Sequence, residues 1–231
     1  MREIVLDTET TGFDPLNGDR LVEIGCVELI NHLPTGQTYH QYINPERDMP
    51  EGAFAVHGLS EEFLRDYPVF KAVAPAFLDF IRGDRLIIHN AEFDMRFLNA
   101  ELRASGYQEL PFERAVDTLA LARRKFPGAS ASLDALCRRF GVDGSARTLH
   151  GALLDSQLLA EVYLELLGGR QTGLELAVSR ETGQARSGVT GASRRQPRPR
   201  SLSPRLTEDE AAAHAAFIDK MGDAALWRRF R

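Results

Sequence analysis

Apolar and polar residues alternate at the start of the chain, in IVLDTETTG over residues 4–12. A period of two predicts a half-buried strand with Ile4, Leu6 and Thr8 on one face and Asp7 and Glu9 on the other. Residues 21–30 and 38–43 also read as strands, with turn residues at 14–18 and 34–36 between them, so an antiparallel meander of three strands is expected. From Ser60 the period lengthens. Residues 69–82 and 93–104 read as helices on either side of a short apolar strand at 85–89. A weak strand at Ala115 and Val116 is followed by helices at 118–125, 132–140 and 150–167, the last stopped by Gly168 and Gly169. A meander followed by alternating strands and helices predicts an α/β fold, a mixed sheet with helices packed on its faces.

Composition changes this picture only towards the end. Residues 179–205 are rich in Gly, Ser, Thr and Pro and carry seven arginines (Arg180, Arg186, Arg194, Arg195, Arg198, Arg200 and Arg205) against Glu181 alone. Such a stretch cannot bury a core and reads as a solvated, self-repelling linker. Order is expected to resume at Thr207, where Thr-x-x-Glu with Glu210 forms a capping box for a short Ala-rich helix. Beyond it, Leu226, Trp227 and Phe230 are large apolar groups with no core of their own, the pattern of a docking peptide. Cys26 and Cys137 sit in apolar runs, as reduced core thiols do. With no apolar run near the roughly 20 residues of a membrane span, and no leader-like start, a cytoplasmic protein with no membrane partner is expected. A net charge of −5 argues against coating nucleic acid electrostatically, but not against a nucleic-acid substrate at a metal-neutralised site.

Candidate chemistry lies in four carboxylates. Asp7 and Glu9 are neighbours on one strand face, and two like charges that close are costly without a cation between them. Asp94 in HNAEFD falls in the first turn of its helix, with Phe97 and Leu98 three and four residues on, so its charge points inward. Asp155 shares the buried stripe of Leu158, Leu159 and Val162. An isolated D-x-E is more often a solvated strand end, but an inward-facing Asp155 needs a positive partner. Converging carboxylates suit two hard divalent cations, Mg²⁺ or Mn²⁺, and through them hydrolysis of a phosphodiester. His150, on the loop or cap entering the last helix, can reach over such a site as a base titrating near neutrality.

LDTETTG, HNAEFD and H-x-x-x-x-D, in that order over residues 1–168, resemble the three motifs of the DEDDh exonucleases. The resemblance implies a ribonuclease H-like fold with a five-stranded sheet and helices on both faces. It also implies removal of nucleotides from 3′ ends with two metal ions, Asp7, Glu9, Asp94 and Asp155 as metal ligands, and His150 as general base. It further suggests that Thr10, Val56, His57, Asn90 and Phe93 line the pocket for the terminal nucleotide. His57-Gly58 could equally be a turn and Phe93 core, while Asp117 reads better as a helix cap. Gln171, Leu174 and Leu176 form a Gln-x-x-Leu-x-Leu resembling a short bacterial sliding-clamp motif, and residues 207–231 resemble the polymerase-binding end of proofreading members of the family. Three parts are then expected: an exonuclease domain at 1–168, a linker at 169–206 that opens with the clamp-like motif, and a docking segment at 207–231. The implied partners are a DNA 3′ end, the sliding clamp and the alpha subunit of a replicative polymerase. Two alternatives stay open, a housekeeping member acting on RNA or short oligonucleotides and a noncatalytic clamp–polymerase adaptor.

Overall fold

The computed structural model describes residues 1–145, 149–169 and 207–222. The chain divides into two units, residues 1–176 and 177–231. In the first, β1 (Arg2–Thr10), β2 (Leu21–Ile30) and β3 (Leu33–Tyr42) form the expected meander. Helices α1 (Glu51–His57), α2 (Glu61–Leu64) and α3 (Phe70–Ile81) follow, then β4 (Arg85–Ile88) and α4 (Ala91–Ala104). β5 (Ala115–Asp117), α5 (Thr118–Lys125), α6 (Leu133–Phe140) and α7 (Ala152–Leu166) complete it. The sheet order is β3-β2-β1-β4-β5; β4 runs parallel to both β1 and β5, so β1 lies at the centre.

Alternation along β1 divides the core in two. Ile4 and Leu6, with Ile24, Cys26, Leu86 and Ile88, pack under α3 and α4 through Phe70, Phe77, Phe97 and Leu98. Val5, Val27 and Ile87 pack on the other face, against Leu136, Leu158, Leu159 and Val162 of α6 and α7. Each such side chain removed from water contributes about 1.5–3 kcal/mol, so both layers hold the sheet. Cys26 and Cys137 are buried free thiols.

The structure differs from the expected elements in two places. The hairpin between β2 and β3 turns at Asn31-His32, both left-handed (φ 50° and 68°), and not at residues 34–36. A two-residue turn with positive φ matches strand twist, and Pro34 and Gly36 are tolerated inside β3 because it is an edge strand. Two short helices, α1 and α2, lie between the third strand and the helix at 69–82, where the residue pattern assigns no element; Ser60 caps α2 by accepting from the Phe63 N–H at 3.1 Å. His57 is accordingly the last residue of α1, and Gly58 (φ 72°) closes it.

In the second unit, α8 (Glu208–Met221) opens with the expected capping box of Thr207 and Glu210. Gln171, Leu174, Leu176, Leu226, Trp227 and Phe230 lie outside the described residues. Among the described residues no helix is long and apolar enough to cross a membrane.

Candidate active site

Asp7 and Glu9 stand at the carboxyl end of β1, on the face that α7 covers. Their cross-strand partners on β2 are Gly25 and Glu23, and a register shift just past Glu9 ends regular pairing. The extra residue there, Val22, lies on β2, since Thr10 pairs with Leu21. Gly25 has no side chain because α7 comes too close: a Cβ on it would fall well inside 3.0 Å of the Ala152–Leu153 backbone. The Ser156 hydroxyl donates to the Gly25 carbonyl at 2.9 Å and locks that approach. Asp155, 2% exposed, is thereby delivered to the face of Asp7 and Glu9.

Asp94 arrives from the opposite face. β4 ends beside β1, Asn90 takes a left-handed conformation (φ 64°, ψ 53°), and α4 starts at once. The turn is held by Asp117, whose Oδ1 accepts from the N–H groups of Asn90 (3.0 Å) and Leu119 (2.9 Å), so Asp117 is a helix cap as expected. Asp94 is 3% exposed, and the Thr8 hydroxyl donates to its Oδ1 at 2.7 Å. Burial pushes its carboxyl up to about 7, against the opposing pull of Thr8 and nearby backbone donors. A carboxyl in that state lacks sufficient positive charge around it.

His150 precedes α7, whose cap is Gly151, and is anchored by a backbone hydrogen bond from its N–H to the Val56 carbonyl at 3.1 Å. Its ring is half exposed, with Nδ1 3.2 Å from Asp155 Oδ2. Donor atoms of Glu9, His150 and Asp155 can all lie within 4.8 Å of one another. Asp7, Glu9, Asp94, Asp155 and His150 line one cavity of about 760 Å³, together with Asn90 and Phe93. Oxygen donors, burial and the raised Asp94 carboxyl fit hard divalent cations.

A second cavity of about 680 Å³ adjoins the first across Thr8, Glu9 and Phe93, which line both. Thr10, Val56 and His57 line this second one, so four of the five expected nucleotide contacts meet there and Asn90 lies with the carboxylates. His57 is 5% exposed; its Nδ1 accepts from the Leu59 N–H at 3.0 Å, and burial lowers its pKa. Burial likewise lowers that of His89, whose Nδ1 lies 2.9 Å from the Thr118 hydroxyl.

Sequence reasoning overlooked Thr8, His89 and Arg123 at this site. For Thr8 the signal was present, since alternation puts it on the face from which Asp94 comes. Arg123 was hidden in the basic run RRK at the end of α5.

Comparison with known proteins agrees with this geometry. Residues 4–163 match the RNase T family, described as Exonuclease. DNA polymerase III subunit epsilon of Rickettsia prowazekii is 49% identical over 224 residues, covering 96% of this chain and 97% of the relative. The Escherichia coli K12 protein of the same name is 45% identical over 237 residues, 98% and 97% of the two chains. Among solved structures, Exonuclease X in complex with 5′ overhanging duplex DNA matches with a TM-score of 0.56 and 26% identity, over 71% of this chain and 90% of that one. The nuclease domain of 3′hExo, a DEDDh family member bound to rAMP, shares the fold with a TM-score of 0.63 at 21% identity, over 72% and 91%. The chain belongs to the RNase T exonuclease family, among the DNA polymerase III epsilon subunits.

Proposed function

We propose that this protein is the proofreading 3′–5′ DNA exonuclease of a replicative polymerase, releasing nucleoside 5′-monophosphates by metal-dependent hydrolysis. The observation that carries this reading is the meeting of four carboxylates and His150 in one cavity, in a chain similar over nearly its whole length to epsilon subunits. Asp7, Glu9, Asp94 and Asp155 hold two divalent cations, Mg²⁺ or Mn²⁺. When bound, such ions offset the phosphate charge and make water a better nucleophile at neutral pH. His150 shares its Nδ1 proton with Asp155, which fixes the ring so that Nε2 takes the proton from the attacking water. As the new P–O bond forms, the bond to the 3′ oxygen of the preceding nucleotide breaks, and that oxygen takes a proton from solvent to become the 3′-hydroxyl of the shortened strand. Thr10, Val56, His57 and Phe93 enclose the terminal nucleoside, and Asn90 sits at its phosphate end.

The domain plan follows the same reading: an exonuclease domain at 1–168, a linker at 169–206 and a docking segment at 207–231. Gln171, Leu174 and Leu176 engage the sliding clamp, while Leu226, Trp227 and Phe230 anchor the polymerase III alpha subunit. Selectivity for errors needs no base reading, because a mismatched end unpairs more cheaply than a matched one.

The test is degradation of a 3′-mismatched primer-template beside a matched one, with a ribonucleotide strand of the same sequence, in Mg²⁺, in Mn²⁺ and in chelator. Faster, metal-dependent removal from the mismatched DNA end is expected. Equal or faster loss of RNA would favour a housekeeping nuclease, and no cleavage with either metal would favour an adaptor.

A further inference from the structure

The fold separates the three basic residues that end α5. Lys125 Nζ donates to the carbonyls of Glu165 (3.2 Å) and Leu166 (2.8 Å) and so closes the end of α7. Arg124 is exposed and outside both cavities. Arg123, also exposed, lines the cavity of the four carboxylates, where it is the only Arg or Lys among the described lining residues. It forms no hydrogen bond or ion pair with another described residue.

Its backbone is well fixed. The Asp117 cap ties the start of α5 to Asn90, the Thr118 hydroxyl lies 3.2 Å from the Ile88 carbonyl, and Ala122 is 1% exposed. Arg123 is therefore held at a set distance from the β4–α4 junction that delivers Asp94. Three of the four acids are nine-tenths or more buried, whereas Arg123 faces solvent, so an internal ion pair with them is not what its placement provides.

The path of a bound strand follows from the two cavities. They share Glu9 and Phe93, and a terminal nucleoside in the cavity of Thr10, Val56 and His57 leaves the rest of the strand to cross the other one. That strand brings a negative charge with every nucleotide, and the exposed Arg123 and Ser130 both line the cavity it crosses. We propose that Arg123 binds the phosphate one nucleotide 5′ of the scissile linkage, gripping the single strand while its end is cleaved. This rests on the exonuclease reading and names a contact within that site. A planar guanidinium suits the role, because it engages two phosphate oxygens at once where an ammonium acts as a point charge.

The experiment uses the full chain with a single-stranded DNA trimer, native or with its 5′-side linkage replaced by a neutral methylphosphonate. Arg123→Ala, at an exposed position, should raise KM on the native trimer about 10-fold with kcat within about twofold, as loss of one charged hydrogen-bonded contact does. The neutral linkage should raise the KM of the unaltered protein by a similar factor and add nothing further in Arg123→Ala. Arg123→Lys should recover part of the loss, Arg124→Ala should behave as the unaltered protein, and the salt dependence of Arg123→Ala should be shallower by about 0.7 in log–log slope. Losses that multiply, or a fall in kcat at constant KM, would overturn the contact. Normal cleavage by Arg123→Ala would overturn it too, leaving the exonuclease reading intact. An unaltered protein that degrades neither trimer would instead overturn the exonuclease reading, and this inference with it.

Discussion

Gly25→Ala tests how closely the site depends on the seating of α7 against β2. The added methyl meets the Ala152–Leu153 backbone well inside 3.0 Å, whereas ordinary contact begins at 3.4 Å, and neither partner is a side chain that can swing aside. Either β2 or the start of α7 must move, and relief needs a shift on the order of 1 Å; overpacking of this kind costs about 1–3 kcal/mol. For a domain of this size that lowers Tm by roughly 2–12 °C, from about 2–4 °C per kcal/mol. A protein with about 5–15 kcal/mol of stability stays almost wholly folded at 25 °C after such a loss, so unfolding would not reduce the rate. Activity should nevertheless fall about 10²-fold, because a shift near 1 Å displaces His150 and Asp155 from Asp7 and Glu9. The assay is initial-rate hydrolysis of single-stranded DNA in saturating Mg²⁺, with thermal melting of the same sample. A variant retaining half its kcat would refute the reasoning, as would one whose rate loss tracked its unfolded fraction.

Other outcomes follow from the same geometry. Asp94→Asn should abolish hydrolysis yet leave the chelator-treated protein at least as stable as before, since it removes a buried charge; a melting loss above about 1 kcal/mol would show that Asp94 is already well compensated. Mg²⁺ or Mn²⁺ at 100 times its dissociation constant should stabilise the protein by about 2.7 kcal/mol, and a flat melting titration would count against a cation centre. His57 and His89 have pKa values lowered from the usual 6.5, so the unfolded chain takes up their protons first as pH falls. Their contribution to stability is complete above about pH 6.5 and is lost below it; His57→Gln should flatten that fall in denaturant titrations between pH 7.5 and 5, and an unchanged slope would contradict the assignment. Trp227→Ala should weaken binding to the isolated alpha subunit at least about 30-fold, the loss expected of a central anchor, without slowing hydrolysis of single-stranded DNA; unchanged affinity would remove Trp227 from the contact.

Much of this was legible in the residue pattern because strand alternation is a strict rule. A period of two places Asp7 with Glu9 and opposite Thr8, and the structure keeps that division across both cores. Helical spacing similarly turned Asp94 and Asp155 inward, and Asp117 and Thr207 declared themselves as caps. What local pattern could not supply was long-range. Gly25 reads as an ordinary strand glycine until α7, more than a hundred residues later, is laid across it. Nothing about Arg123 distinguishes it from Arg124 until the cavity wall is assembled. The turn at Asn31-His32 was misplaced because Pro34 and Gly36 carry stronger turn signals than two residues whose left-handed conformations are set by strand twist.

The groups at this centre are secured to very different degrees. Asp7 and Glu9 ride on the middle strand of the sheet, paired to β2 along its length and to β4 over Glu3–Val5, so they can part company only when that strand opens. His150 stands ahead of a helix on a half-exposed ring, with one backbone bond to Val56. In hydrogen exchange the β1 amides should report the global unfolding free energy, while the His150 amide should exchange through far cheaper local openings. On the proposed assignment, a nuclease that must not cut correctly paired ends gains from that inequality: the carboxylates that would hold the cations are fixed, and the residue that would accept the proton is the part that can be withdrawn.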